Sequence, residues 1–127
     1  MILITGSTGF IGRVLGRSLD HAGYEWRAYT GRMNTPQTLW AELEGVDIVI
    51  HLAGAEKRGS NRLLQHVDIE GTQRLLEEAR RAGVTRFIFP SRLNANPHAM
   101  HALLRAKGEA ERLVRQSGIP YTILRTS

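Results

Sequence analysis

The run Ile2-Leu3-Ile4 feeds a turn with glycine at every third position, Gly6, Gly9 and Gly12, and that turn opens straight into helical spacing. Three or four apolar residues are too few for a helix, so the stretch predicts a buried strand, a tight turn and a helix N-terminus. Each glycine has its own task. Gly6 allows the turn, Gly9 lets the backbone approach a diphosphate, and Gly12 lets the helix press against the strand. The backbone N–H groups of Thr8 to Gly12 then face the anion at the positive end of the helix. Such a turn also occurs with no ligand, so the remainder of the chain has to decide between the two readings.

With 127 residues the chain makes one domain, 1–127, with a real core. No stretch is long and apolar enough to span a membrane, and the N-terminus lacks the charged start and cleavage site of a secretory signal, so a cytoplasmic address is expected. The absence of cysteine removes disulfides, thiolate catalysis and cysteine-based metal sites together. No histidine–carboxylate spacing suggests another metal site. The net charge of +5 comes almost wholly from arginine, since Lys57 and Lys107 are the only lysines. It favours anionic ligands, but the arginines are scattered and the aromatics few, which argues against nucleic acid.

Behind the turn, Phe10, Ile11, Val14, Leu15, Leu19 and Ala22 recur at three- and four-residue intervals and predict an amphipathic helix with that face inward, stopped by Gly23. Glu25 to Thr30 reads as a second strand. Thr35 and Pro36 look like the N-cap and first position of a short helix through Leu43. Val46 to Gly54 is nearly continuous in apolar character, as a strand covered on both faces should be. The polar stretch Ala55 to Asn61 predicts a mobile loop. A long helix follows from Leu63 to Gly83, whose unhelpful Gly71-Thr72 pair implies close packing. Val84 to Pro90 is a strand, about His98 to Gln116 a helix, and Pro120 to Leu124 a final strand. Five strands alternating with helices give an α/β class, a doubly wound parallel Rossmann-type sheet with helices on both faces.

These pieces resemble the short-chain dehydrogenase/reductase superfamily, in its extended and atypical branches that include nucleotide-sugar epimerases and dehydratases. The resemblance rests on Thr5 to Gly12, Asp47 to Gly54, Gly71-Thr72 with Leu75 and Leu76, Arg86 to Ser91, Lys107 to Glu111 and Ser117 to Arg125. Asn94 through Lys107 is most similar to atypical members related to the NADPH-binding accessory subunit of respiratory complex I. The resemblance implies a dinucleotide cofactor held by Gly6, Thr8, Gly9, Phe10, Ile11, Gly12, Leu52, Ala53, Gly54 and Lys107. It further implies a nucleotide-sugar or other small-molecule substrate, and a homo-oligomer or larger complex as context.

Three departures shape the expectation. Family members run on into a C-terminal substrate-binding region, so the chain is either a fragment or a minimal cofactor domain. Between Thr30 and Val46 there is room for one short helix where relatives insert a helix and a strand, which predicts a sheet one strand narrower. Finally, the family's catalytic tyrosine stands four residues before the lysine, and counting back from Lys107 lands on Leu103. Of the catalytic set only Ser91 and Lys107 are candidates, and neither inherits the tyrosine's proton chemistry.

Several residues keep two readings. Lys107 either bonds a cofactor ribose or is a solvated helix lysine. His98 and His101 flank the missing tyrosine and titrate in the useful range, yet surface histidines are the commoner case. Arg32 follows the second strand where the adenine ribose lies in such folds. With no carboxylate among Thr30, Gly31 and Arg32, a 2′-phosphate partner is implied, favouring NADP(H) with NAD(H) as the alternative. Arg13 is a weaker second partner, and His51 reads as a satisfied core histidine.

Overall fold

The computed structural model describes residues 1–31, 36–54, 62 and 64–127. Its elements run β1 (Ile2–Thr5), α1 (Phe10–His21), β2 (Trp26–Ala28), α2 (Pro36–Leu43), β3 (Ile48–His51), α3 (Leu64–Gly71), α4 (Thr72–Arg81), β4 (Arg86–Arg92), α5 (Ala102–Gln116) and β5 (Tyr121–Thr126). The five strands form one sheet in the order β2-β1-β3-β4-β5, every neighbour parallel. Crossing from β1 to β2 runs one way along the sheet, and every later crossover runs the other. Right-handed connections therefore put α1 on one face and α2, α4 and α5 on the other. Thr35, the expected N-cap, and the expected loop Ala55 to Asn61 lie outside the described residues. Among those described, no strand stands between β2 and β3, in keeping with a narrower sheet.

The principal core fills the space beneath α2, α4 and α5. Leu3, Val49 and Phe87, neighbours in register on β1, β3 and β4, are fully buried against Leu39, Leu43, Leu75, Ala79, Ala110 and Val114. Each such Leu, Val or Phe contributes about 1.5–3 kcal/mol of transfer free energy. α5 is stapled to β5 by Glu111, only 1% exposed. The Arg125 guanidinium donates to its carboxylate at 2.9 and 2.7 Å and Arg115 at 3.3 Å. Burial pushes this carboxyl up, but the hydrogen bonds from Arg125 and the charges of Arg125 and Arg115 outweigh it and hold the carboxyl below its usual range.

Two local expectations are corrected. In α1 the buried residues are Gly12 and Gly16, while Phe10, Ile11 and Val14 are 72%, 60% and 49% exposed. A Cβ at Gly16 would come within 2.7 Å of the Trp26 ring, so the helix seats its glycines closest to the sheet, with Leu15 and Leu19 half-buried beside them and Phe10, Ile11 and Val14 outside. The second correction concerns the long helix. Its first eight residues, α3, wind as a π-helix and pass into the α-helical α4 through Gly71 in helical conformation at φ −63° and ψ −42°. The wider winding changes which side chains share a face, so 3.6-residue periodicity cannot place Asp68.

Candidate functional site

The strand order reverses between β1 and β3, and their carboxyl ends open the crevice in which ligands sit in open α/β sheets. At the end of β1 the chain turns through Gly6 at φ +71°, and a Cβ there would stand 2.7 Å from Ala53 N and 2.8 Å from Leu52 C. The turn is thus pressed against the end of β3, which only glycine permits in this conformation. At Gly12 a Cβ would fall 2.6 Å from Ser7 Cα and still nearer the Gly6 carbonyl. Gly9 N–H donates to Gly6 O at 3.1 Å and Arg13 N–H to Gly9 O at 3.0 Å, closing the turn and starting α1. The first turn of α1 has no side-chain cap and no acidic residue, leaving its positive end open to an anion.

Beside this turn runs a buried chain of polar contacts. Ala53 N–H donates to Thr5 Oγ1 at 3.2 Å, Thr5 Oγ1 lies 2.6 Å from His51 Nδ1, and His51 Nε2 lies 2.8 Å from Thr72 Oγ1. His51 is 1% exposed, with Phe87 and Phe89 ring centroids both 5.9 Å away. Burial first, and then the nearby Lys107 charge, lower its pKa to about 3, so the ring is neutral and one nitrogen donates while the other accepts. This chain ties β1, β3 and the start of α4 together directly below the crevice, and supplies the packing reason for Gly71-Thr72.

The far end of the crevice lies over β3, β4 and α5. Lys107 is 5% exposed, which excludes the solvated-lysine reading. Its Nζ stands 4.0 Å from Asp68 Oδ2 and 5.4 Å from the Phe89 ring centroid. A Cβ at Gly54 would lie 3.5 Å from both Lys107 Nζ and Asp68 Oδ1, so the bare glycine opens onto this ion pair. Leu103, one turn before Lys107, packs with Leu64, Ala106, Val67 and Ile69. Ser91 is buried under α5 on the Glu111 side, and His98 and His101 are exposed.

The structure therefore brings Gly6, Gly9, Gly12, Leu52, Ala53 and Gly54 into one crevice, with Lys107 at its far end. Thr8, Phe10 and Ile11 sit exposed at its rim. Arg32 lies outside the described residues. Sequence reasoning missed Asp68; its only signal was a carboxylate four residues before Thr72 in an otherwise apolar stripe. An uncapped helix end, a turn with glycine at positions 6 and 9 and a lysine at the opposite end fit the diphosphate and a ribose of a dinucleotide.

Fold and crevice define a dinucleotide-binding doubly wound domain. The chain belongs to the NAD(P)H-binding family, whose model matches residues 13–127. It is 33% identical to the photosystem II assembly factor Ycf39 of Synechocystis, a match covering 97% of this chain and 43% of that protein. It is 31% identical to the ceramide reductase of Caulobacter vibrioides, covering 98% and 45%. A short-chain dehydrogenase/reductase superfamily protein of Agrobacterium tumefaciens, solved with bound NAD, superposes with a TM-score of 0.83 at 29% identity over 98% of this chain and 48% of that one. The chain thus spans a little under half the length of each. No helix among the described residues is long and apolar enough to cross a membrane.

Proposed function

We propose that the chain binds NADP(H) in preference to NAD(H) and holds it without its family's proton chemistry, acting as a nucleotide sensor or accessory subunit. The observation that carries this reading is Leu103, packed into an apolar cluster one turn before a lysine that is itself in place beside Gly54. A bound nicotinamide supplies a hydride. Transfer to or from a carbonyl also needs a proton donor or acceptor, and an alkyl side chain is neither. In this reading Gly6 to Gly12 hold the diphosphate, Lys107 a ribose, and Arg32 the 2′-phosphate. The match to an assembly factor supports a role in which binding outlasts catalysis.

The test is titration with NADPH and NADH by fluorescence or calorimetry, repeated on Arg32→Ala. NADPH should bind more tightly, and the variant should lose at least tenfold in NADPH affinity with NADH unchanged. No binding of either at millimolar concentration overturns the proposal, and equal affinities remove the role given to Arg32. A second reading, a working NAD(P)-dependent oxidoreductase or nucleotide-sugar epimerase/dehydratase, is favoured by the reductase named among the relatives. It requires an acid from outside these residues, and Leu103→Tyr would create activity if only the hydroxyl is lacking.

A further inference from the structure

Three of the arginines behind the net charge of +5 gather away from the crevice, on the second half of α5 and on β5. Between the turn at 95–97, this flank of α5 and Arg125 of β5 lies a cleft of about 330 Å³, at the small end of the roughly 300–1,000 Å³ of ligand sites. It shares no lining residue with the dinucleotide crevice. Its walls are set before any ligand arrives. A Cβ at Gly108 would overlap the Asn96 and Pro97 backbone, so the turn lies directly on α5. Asn96 N–H donates to Leu104 O at 3.1 Å and Ala95 N–H to Arg92 O at 3.2 Å, tying the turn to the start of the helix and to the end of β4. On the other wall the buried Glu111 carboxylate accepts from Arg125 through Nε and Nη2 and from Arg115 through Nη1, and so fixes both guanidinium groups. Guanidinium groups already fixed lose little further freedom when a ligand takes their remaining donors.

The hydrogen-bonding capacity left over in the cleft has one character. Glu111 is 1% exposed, and its carboxylate is taken up by the two arginines. The Asn96 side-chain oxygen accepts from His98 N–H at 2.8 Å and the Gln116 side-chain oxygen from Arg112 at 2.9 Å, so both amide oxygens are used and both NH2 groups remain. Nε and Nη2 of Arg115 and Nη1 of Arg125 make no hydrogen bond among the described residues. Each lining side-chain group still open is therefore a donor. The charge agrees: Glu109 bonds Arg112 and Glu111 bonds Arg115 and Arg125, two carboxylates against three guanidinium groups. A fitting ligand is anionic and accepts from several directions. A carboxylate offers two oxygens in one plane, whereas the open donors come from α5, β5 and the turn at 95–97, which a tetrahedral group with three terminal oxygens can meet at once. We propose that this cleft binds the phosphate monoester group of a small molecule, with Arg115, Arg125 and the Asn96 amide as its donors.

The test is titration of inorganic phosphate and of phenyl phosphate into the chain at constant ionic strength, read from the amide resonances in two-dimensional NMR. Both should bind saturably and shift the amides of Asn96, Arg112, Arg115 and Gln116, and succinate should bind at least tenfold more weakly. Arg115→Gln removes a half-exposed guanidinium and leaves Glu111 both its bonds from Arg125, so the variant keeps the fold, which its thermal unfolding checks. It should lose about tenfold or more in phosphate affinity. Arg17→Gln, the same change of charge at an exposed position of α1, should lose nothing. Absence of saturable phosphate binding up to tens of millimolar overturns the proposal, as does binding indifferent to Arg115→Gln. Equal losses in the two variants overturn it in favour of general charge attraction, and shifts confined to residues 9–12 in favour of the glycine turn. Succinate binding as tight as phosphate overturns the assignment to a phosphate group.

Discussion

His51 gives the fold a defined response to acid. Its ordinary pKa of 6.5 falls to about 3 in the folded chain, chiefly through burial and secondly through Lys107. The unfolded chain therefore binds the proton first, and stability is lost as pH falls from about 6.5 toward 3. Within that window the slope approaches about 1.4 kcal/mol per pH unit for one proton. Integrated from pH 8 to pH 5, the loss is about 2 kcal/mol, roughly a thirtyfold change in the unfolding constant. Urea unfolding followed by circular dichroism at pH 8, 7, 6 and 5 measures it. His51→Gln starts less stable, by about 1–3 kcal/mol for the disturbed buried hydrogen bonds. Its profile over the same range should be flatter, so the gap between the two proteins narrows by about 2 kcal/mol at pH 5. His21, His98 and His101 are exposed and common to both proteins, so the difference isolates the buried ring. Parallel profiles would refute the reasoning, because His51 would then titrate alike in the folded and unfolded chain.

Gly54→Ala should change stability by no more than about 0.5 kcal/mol, since its Cβ meets Lys107 and Asp68 at 3.5 Å, an ordinary contact. The same variant should weaken dinucleotide binding at least tenfold in calorimetry if the ribose sits there. Gly12→Ala, whose Cβ would overlap the Gly6–Ser7 backbone, should lower the unfolding midpoint by about 1–3 kcal/mol and abolish measurable binding. Glu111→Gln should cost about 1–3 kcal/mol, because Arg115 and Arg125 are half-exposed and can turn to water when the carboxylate is lost. Since the folded Glu111 carboxyl lies below its ordinary 4.5, its contribution is present above that pH and lost on acidification below it. Denaturant midpoints at pH 3 and pH 6 should therefore differ less in Glu111→Gln than in the parent.

The glycine turn and the alternation of strands and helices were legible because backbone geometry demands particular residues there. Gly6 and Gly12 stand where any side chain would strike backbone, and Val46 to Gly54 reads as the central strand it contains. α1 was read only in part: Gly12 packs inward and Leu15 and Leu19 are half-buried as expected, whereas Phe10, Ile11 and Val14 face out. Periodicity weighs hydrophobic bulk, whereas this helix is seated by how closely its backbone can approach β1 and β2, so glycines face in. Lys107 could not be judged from its neighbours in sequence, since its surroundings come from Phe89 of β4, Asp68 of α3 and Gly54 beyond the end of β3. Asp68 escaped notice because the π winding of α3 removes the angular step by which helical faces are read. The Thr5–His51–Thr72 contacts join residues 21 and 46 positions apart, which no local pattern reports.

The strand order also bears on how the chain acquires its structure during synthesis. β1 and β3 must meet across the intervening β2 unit before the middle of the sheet exists. After that, β4 pairs with β3, and β5 with β4, each strand adding to the edge made just before it. Growth from that point is sequential, but each parallel pairing, Ile48 with Arg86 and then Phe87 with Tyr121, closes across a whole helix, a non-local contact that slows folding. A ribosome releasing the chain from its N-terminus would present the edges in the order in which they are needed, with one open edge on that side at a time.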